Sequence, residues 1–251
     1  MTEITENYIL NGEGSRKETR HIVFALGDSG LDYKVGDALG VMSENPPHIV
    51  EEILELQGWD RGYSVETLKK EFEVHMANKK FVQSLAGKVI SSGMKISLKI
   101  VARSRSNEDW ESSESSVTPP GLATSKASDD PAAKVEALLG DEKEIENYLW
   151  TRDYVDIMRE FGVKYSPEEF LDLIARLKPR LYSIASSHDA HPGFVELTVG
   201  IVRFEYHNRA RGGLCTQYMA DEIDATGNPI GVFMSPTKSF ILPDDKDVDI
   251  I

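Results

Sequence analysis

Arg180, Tyr182 and Ser183 stand together in the stretch RLYSIASS, directly after Pro179. An arginine offers a planar fork of donors that pairs bidentately with a pyrophosphate. Two residues on along a strand, a tyrosine projects from the same face and its ring can lie flat on another planar ring. A serine hydroxyl can then reach a ring heteroatom. Leu181, Ile184 and Ala185 are the residues of this stretch able to serve a core. Two readings fit it: an edge strand with one wet face, or a strand that binds something anionic and aromatic.

A second group lies in GGLCTQYMADEI. Gly212 and Gly213 let backbone come close to a ligand, and Leu214, Cys215 and Thr216 follow at an expected helix start. Free amides there, with the helix dipole behind them, favour phosphate. An ordinary glycine turn before a surface helix explains the same residues, and taken alone it is the commoner case. Together the two groups suit a dinucleotide with a flat headgroup.

Other candidates carry less. His188 and His191 form an H-x-x-H pair in a polar loop, with no cysteine or third histidine close in sequence, so no metal site is expected. Arg203, Arg209 and Arg211 concentrate positive charge in RFEYHNRAR, a pattern better suited to flanking cofactor phosphates than to nucleic acid. The chain of 251 residues carries a net charge of −14, and nucleic-acid binding needs clustered Lys and Arg. Its single cysteine, Cys215, excludes an internal disulfide and suits a reducing compartment. No apolar run is long enough for a bilayer, and the N-terminus lacks signal-peptide character, so a cytoplasmic protein is expected.

These residues need a scaffold. ETRHIVFALG reads as a strand around Arg20 to Leu26, and LDYKVGDALGVMSEN as a turn and a second strand. After Pro46 and Pro47 the period changes: Ile49, Val50, Ile53, Leu54 and Leu56 form a helical face that stops near Gly58. SVETLKKEFEVHMANKKFVQSLAG predicts one or two further helices. Residues 103–131 are Ser-rich and charged and are expected to be disordered. Helical signals return at DEKEIENYLW and at SPEEFLDLIARL, where Ser166 caps, Pro167 fits the first position and Glu169 completes a capping box. GFVELTVGIVRFEY predicts a strong strand, and PIGVFMSPTKSFILP two short ones. Strands, a helical insertion, then strands suggest an antiparallel barrel interrupted by a helical subdomain.

RLYSIASS, LTVGIVRFEY and GGLCT, in this order, resemble the FAD-binding domain of the NADPH-dependent diflavin reductases, nearest their sulfite reductase group. KETRHIVFAL and YKVGDALGV are similar to the family's opening barrel strands; LLGDEKEIENYL and YVDIM are similar to its connecting helices. The resemblance covers nearly the whole chain except the Ser-rich stretch. It implies a mainly β fold with an α insertion: a Greek-key FAD barrel of residues 1–45 and 177–251 interrupted by a helical connecting insertion at 46–176. It further implies that Arg180 holds the FAD phosphates, that Leu181 belongs to the same motif, that Tyr182 packs on the isoalloxazine, and that Ser183, the candidate catalytic residue, sits near the redox-active ring edge. Thr198, Val199 and Gly200 correspond to a second FAD-contacting strand, and Gly213, Leu214, Cys215 and Thr216 to the pyrophosphate loop. Phe204 stands where that group usually has a tyrosine, so it is not a candidate ligand.

The resemblance implies hydride transfer from NADPH to FAD, with electrons passed on to a flavodoxin-like or haem-containing partner. NADPH binding needs a strand followed by a glycine-rich loop; DKDVDII stands where that strand would start, and NGEGSRK near Asn11 has no buried strand pattern before it and no helix pattern after it. An NADPH-binding domain is therefore expected beyond this chain in the complete protein, and slight or no NADPH oxidation by this chain alone. A non-catalytic FAD-dependent scaffold is the alternative.

Overall fold

Period-two alternation shapes the sheets. In β5 (Phe194–Ile201), Val195, Leu197, Val199 and Ile201 are buried while the residues between them face outward. The computed structural model describes residues 1–60, 62, 64–91, 130–223, 228–238, 240, 245 and 247. They divide into one unit of Met1–Val50, Val65–Glu73 and Arg176–Ile251 and another of Glu51–Ser64 and Val74–Ala175.

The first unit carries the strands. β1 (Glu3–Ile9), β2 (Glu18–Ala25) and β5 form an antiparallel sheet with β2 at its centre. β3 (Ala38–Met42) is the centre of a second, between β4 (Arg180–Ser183) and β8 (Gly231–Ser235). β6 (Arg203–Tyr206) and β7 (Arg209–Gly212) make a hairpin whose turn residues, His207 and Asn208, both adopt positive φ, of 53° and 56°, as a tight two-residue hairpin demands. Among the described residues no ladder closes into a barrel. Two isolated antiparallel bridges, Ile184↔Leu197 and Thr2↔Ile230, join the edges of the first two sheets. Ile22, Phe24, Leu39, Val41, Leu197 and Met219 belong to the core between them.

β1 was not legible as a strand: its exposed face carries Glu3, Glu6 and Tyr8, which masks the inward Ile4. The single long strand expected over GFVELTVGIVRFEY breaks at Val202, where the ladder to β2 ends at Ile201↔Glu18 and the chain folds back on itself as the β6–β7 hairpin. PIGVFMSPTKSFILP supplies β8, and its second expected strand lies largely outside the described residues, as does the Ser-rich stretch up to residue 129.

The chain passes between the units through α1 (Pro47–Gln57) and α2 (Ser64–Lys70). The second unit contains α3 (Lys79–Ser91), α4 (Pro131–Gly140), α5 (Glu142–Leu149), α6 (Tyr154–Phe161) and α7 (Pro167–Leu173). Side-chain caps start the last four: Asp130, Asp141, Asp153 and Ser166 each accept an amide of the first turn. The expected Ser166–Glu169 capping box is present, with Pro167 opening the helix. Phe81, Tyr154 and Phe170, all fully buried, meet edge to face with ring centroids 4.9–5.8 Å apart. No helix among the described residues is long and apolar enough to cross a membrane.

Candidate cofactor site

β4 keeps strict alternation, in the opposite sense to the one its composition suggests. It pairs with β3 so that Arg180 faces Val41, Leu181 faces Gly40, Tyr182 faces Leu39 and Ser183 faces Ala38. Directly opposed residues share a face. Arg180 and Tyr182 therefore lie on the side of Leu39 and Val41, both fully buried. Leu181, expected to serve the core, points the other way and is 57% exposed. Ala185 is exposed too, and of the three only Ile184 packs against the core. The inversion has a physical reason: Tyr182 buries more surface than the leucine and finds a polar partner for its hydroxyl.

That partner is Cys215. The Cys215 thiol lies beside the Tyr182 hydroxyl, and burial first, with the thiol next, pushes that hydroxyl well above its usual range. Burial likewise raises the Cys215 thiol, against the opposing pull of the Tyr182 and Ser43 hydroxyls and the Arg180 charge. The upward shift keeps the Cys215 thiol protonated near neutral pH. Arg180 remains half-exposed, with Nη2 3.3 Å from Glu73 Oε2 and Nη1 3.4 Å from the Lys178 carbonyl oxygen.

On the opposite face, Leu181, Gly40 and Phe233 form a cross-strand row. A Cβ at Gly40 would meet the Phe233 ring at 2.3 Å, so the ring lies directly over the bare glycine. Ser183, Ala38 and Ser235 make the neighbouring row, with Ser183 open to solvent.

The second group closes on the end of β5. α8 (Leu214–Gln217) starts at Gly213 with no side-chain cap and continues as a π-helical turn, Tyr218–Ile223. The Gly213 amide donates to the Val202 carbonyl at 3.0 Å, and the Thr216 hydroxyl donates to the Gly213 carbonyl at 3.0 Å. Leu214 and Cys215 are buried. A Cβ at Gly212 would lie 2.5 Å from the Val202 carbonyl oxygen and 2.3 Å from the Gln217 side-chain oxygen. That glycine is therefore demanded by the loop's own packing. The first-turn amides of a helix have no acceptor within it, and here no side chain caps them; this is a fitting seat for an anion.

Thr198, Val199 and Gly200 sit in β5 opposite His21, Arg20 and Thr19. Val199 is in the core, whereas Thr198 and Gly200 face outward. A Cβ built on Gly200 meets nothing within 4 Å, which leaves bare backbone at the surface. The structure thus joins Arg180 and Tyr182 to the Cys215 segment and ties Gly213 and Thr216 to the end of β5, while Leu181, Ser183, Thr198 and Gly200 lie on outward faces.

Sequence reasoning missed Glu73, which reaches Arg180 across 107 positions and left no local signal. Arg203, read as a residue flanking phosphates, is instead held by Glu18 at 2.8 Å and by Asp221 through two hydrogen bonds of 2.7 and 2.8 Å. His188 lies 3.3 Å from Asp32 and His191 2.8 Å from Glu196. Among the described residues no cluster of His, Cys, Asp and Glu is arranged to hold a metal. Phe204 is 40% exposed, its ring 5.6 Å from that of Tyr206.

A half-exposed arginine, an uncapped loop–helix start and a bare glycine on the neighbouring strand fit a phosphate-bearing cofactor. Comparison with known proteins agrees. A family model of the FAD binding domain matches residues 1–97 and 121–218. The chain is 33% identical over 251 residues to the sulfite reductase (NADPH) flavoprotein alpha-component of Bacillus subtilis, covering 99% of this chain and 37% of that protein. It is 32% identical over 249 residues to the protein of the same name from Mannheimia succiniciproducens, covering 99% of this chain and 36% of that one. The corresponding figures for Zymomonas mobilis are 33% over 258 residues, 99% and 36%. The chain therefore spans little more than a third of the length of these relatives. With a match on both sides of the Ser-rich stretch, the chain belongs to the FAD binding domain family.

Proposed function

We propose that this chain is the FAD-carrying part of an NADPH-dependent flavoprotein reductase of the sulfite reductase type. The observation that carries the reading is the match to the FAD binding domain over residues 1–97 and 121–218, which includes both Arg180 and the uncapped Gly213–Thr216 loop. When bound, FAD supplies the redox chemistry, taking hydride from NADPH and passing electrons to a further carrier.

The chain's own residues bind and orient it. The Arg180 guanidinium faces the phosphates, and the amides of Leu214, Cys215 and Thr216 add donors after Gly213. Tyr182 would lend its ring to the isoalloxazine, with its hydroxyl beside the Cys215 thiol. Leu181 contributes backbone and its exposed side chain. Ser183 offers a hydroxyl to the redox-active edge. Thr198, Val199 and Gly200 supply strand backbone, with Gly200 allowing the closest approach.

Residues 1–45 and 177–251 make up the FAD-binding portion in this reading, and 46–176 the helical connecting insertion. The orders β1-β2-β5 and β4-β3-β8, together with the bridges Ile184↔Leu197 and Thr2↔Ile230, favour a Greek-key barrel. An NADPH-binding domain belongs to the complete protein, the electron acceptor is a flavodoxin-like or haem-containing partner, and the compartment is the cytoplasm.

The test is a visible absorption spectrum of the purified chain after incubation with FAD and desalting. Retained flavin bands are expected, and their loss in Arg180→Ala and Tyr182→Ala. A folded chain that stays colourless would refute the reading.

A further inference from the structure

Glu73 is the acidic side chain facing the proposed phosphate arginine, and it is more buried than its partner: the Glu73 side chain is 12% exposed, that of Arg180 41%. Its place is fixed by the backbone around it. Phe72 bridges Arg176, the Leu177 amide donates to the Glu71 carbonyl at 2.8 Å, and Arg176 pairs with the Glu71 carboxylate. From within, the Asn45 amide, on a residue only 1% exposed, donates to the Leu68 carbonyl at 2.7 Å and to the Phe72 carbonyl. The segment that carries Glu73 is thus fastened beside the approach to β4, and the carboxylate is delivered to Nη2 of Arg180.

We propose that Glu73 is the built-in counter-anion of Arg180, which the cofactor's pyrophosphate must displace from the guanidinium to bind. This rests on the reading of Arg180 as a phosphate-binding residue. The arginine and the carboxylate together are close to neutral, so an arriving phosphate gains little attraction from the pair and meets repulsion from Glu73. A small anion offers nothing beyond its charge and does not displace the carboxylate. A dinucleotide brings stacking and the loop amides as well, and completes the exchange. Glu73 therefore sets specificity as well as affinity: it screens the arginine from free phosphate and pyrophosphate.

The experiment titrates wild-type and Glu73→Gln chains with FAD, read by flavin fluorescence, and repeats the titration with inorganic pyrophosphate as competitor. Glutamine keeps the shape and removes the charge, and the exposed Arg180 stays solvated. Losing a charged hydrogen-bond competitor is expected to tighten FAD about tenfold and to let pyrophosphate compete where it does not in the wild type. Unchanged or weaker FAD binding by Glu73→Gln, with binding lost in Arg180→Ala, overturns the inference and leaves the FAD site standing. FAD binding that survives Arg180→Ala overturns the phosphate reading and the inference with it. If Glu73→Gln does not fold, the Arg180 side-chain NMR resonances of the wild type decide. They shift on FAD addition if the partner is exchanged, and unmoved resonances overturn the proposal.

Discussion

Arg203 grips Asp221 with two nearly matched hydrogen bonds, Nη1 to Oδ2 at 2.7 Å and Nη2 to Oδ1 at 2.8 Å, and turns its Nε to Glu18 at 2.8 Å. One guanidinium thereby ties the start of β2 and the π-helical turn that follows α8 to β6. Glu18 also takes Arg20, at 2.7 Å. The Arg203 hydrogen bond is the main reason its carboxyl is lowered to about 2.

The pH dependence follows from that shift. A carboxyl depressed on folding contributes stability that is present above its unfolded value and lost as pH falls through its folded one. Glu18 should therefore contribute above about pH 4.5 and cease to contribute near pH 2. The pair is partly solvated, so the contribution is about 1 kcal/mol. Glu18→Gln is expected to lower the urea midpoint near neutral pH and to match the wild type near pH 2. A gap between the two proteins that stays constant with pH would contradict this.

Gly212, beside the proposed site, and Gly200, within it, should behave differently. Gly212→Ala drives a Cβ to 2.5 Å from the Val202 carbonyl oxygen and is expected to cost about 1–3 kcal/mol of stability. Gly200→Ala meets nothing within 4 Å and should leave the thermal midpoint unchanged or slightly raised. If FAD lies against bare β5 backbone, Gly200→Ala nonetheless weakens FAD binding. Full affinity in a well-folded Gly200→Ala chain would remove that strand from the site.

Side-chain truncations in β4 test its inverted alternation. Leu181, 57% exposed, should tolerate alanine within about 0.5 kcal/mol in the absence of cofactor. Tyr182→Ala, which strips a ring from the core margin, should cost about 2 kcal/mol or more. Chemical denaturation of both variants without FAD decides it, and the reverse order of costs would mean that Leu181 is the inward residue.

That inversion marks where sequence reading reaches its limit here. Local patterns carried their own elements: Ser166, Pro167 and Glu169 announce α7 because a capping box is satisfied within one turn of chain. Val195, Leu197 and Val199 announce β5 because alternation is a property of the strand itself. The facing of β4 was not legible, because it depends on what packs from elsewhere, namely Leu39 from β3 and Cys215 from α8. Arg180 and Arg203 each open a short strand, yet one meets a single, largely covered carboxylate and remains half-exposed while the other is shared between two. Only the tertiary partners, Glu73 in one case and Glu18 with Asp221 in the other, separate a candidate ligand residue from a clasp.

Cys215 yields the last prediction. Its thiol is buried, and desolvation holds its pKa above the ordinary value, so the nucleophilic thiolate is scarce at mildly alkaline pH. The native chain should react with a thiol reagent such as iodoacetamide far more slowly than the urea-unfolded chain. The Tyr182 hydroxyl opposes the upward shift by donating toward the sulfur. Removing only that hydroxyl, in Tyr182→Phe, should raise the thiol further and slow native-state alkylation again. Faster alkylation of Tyr182→Phe would show instead that the hydroxyl's main contribution is to hold α8 down over the thiol, and that its loss opens the segment that carries the proposed phosphate-binding amides.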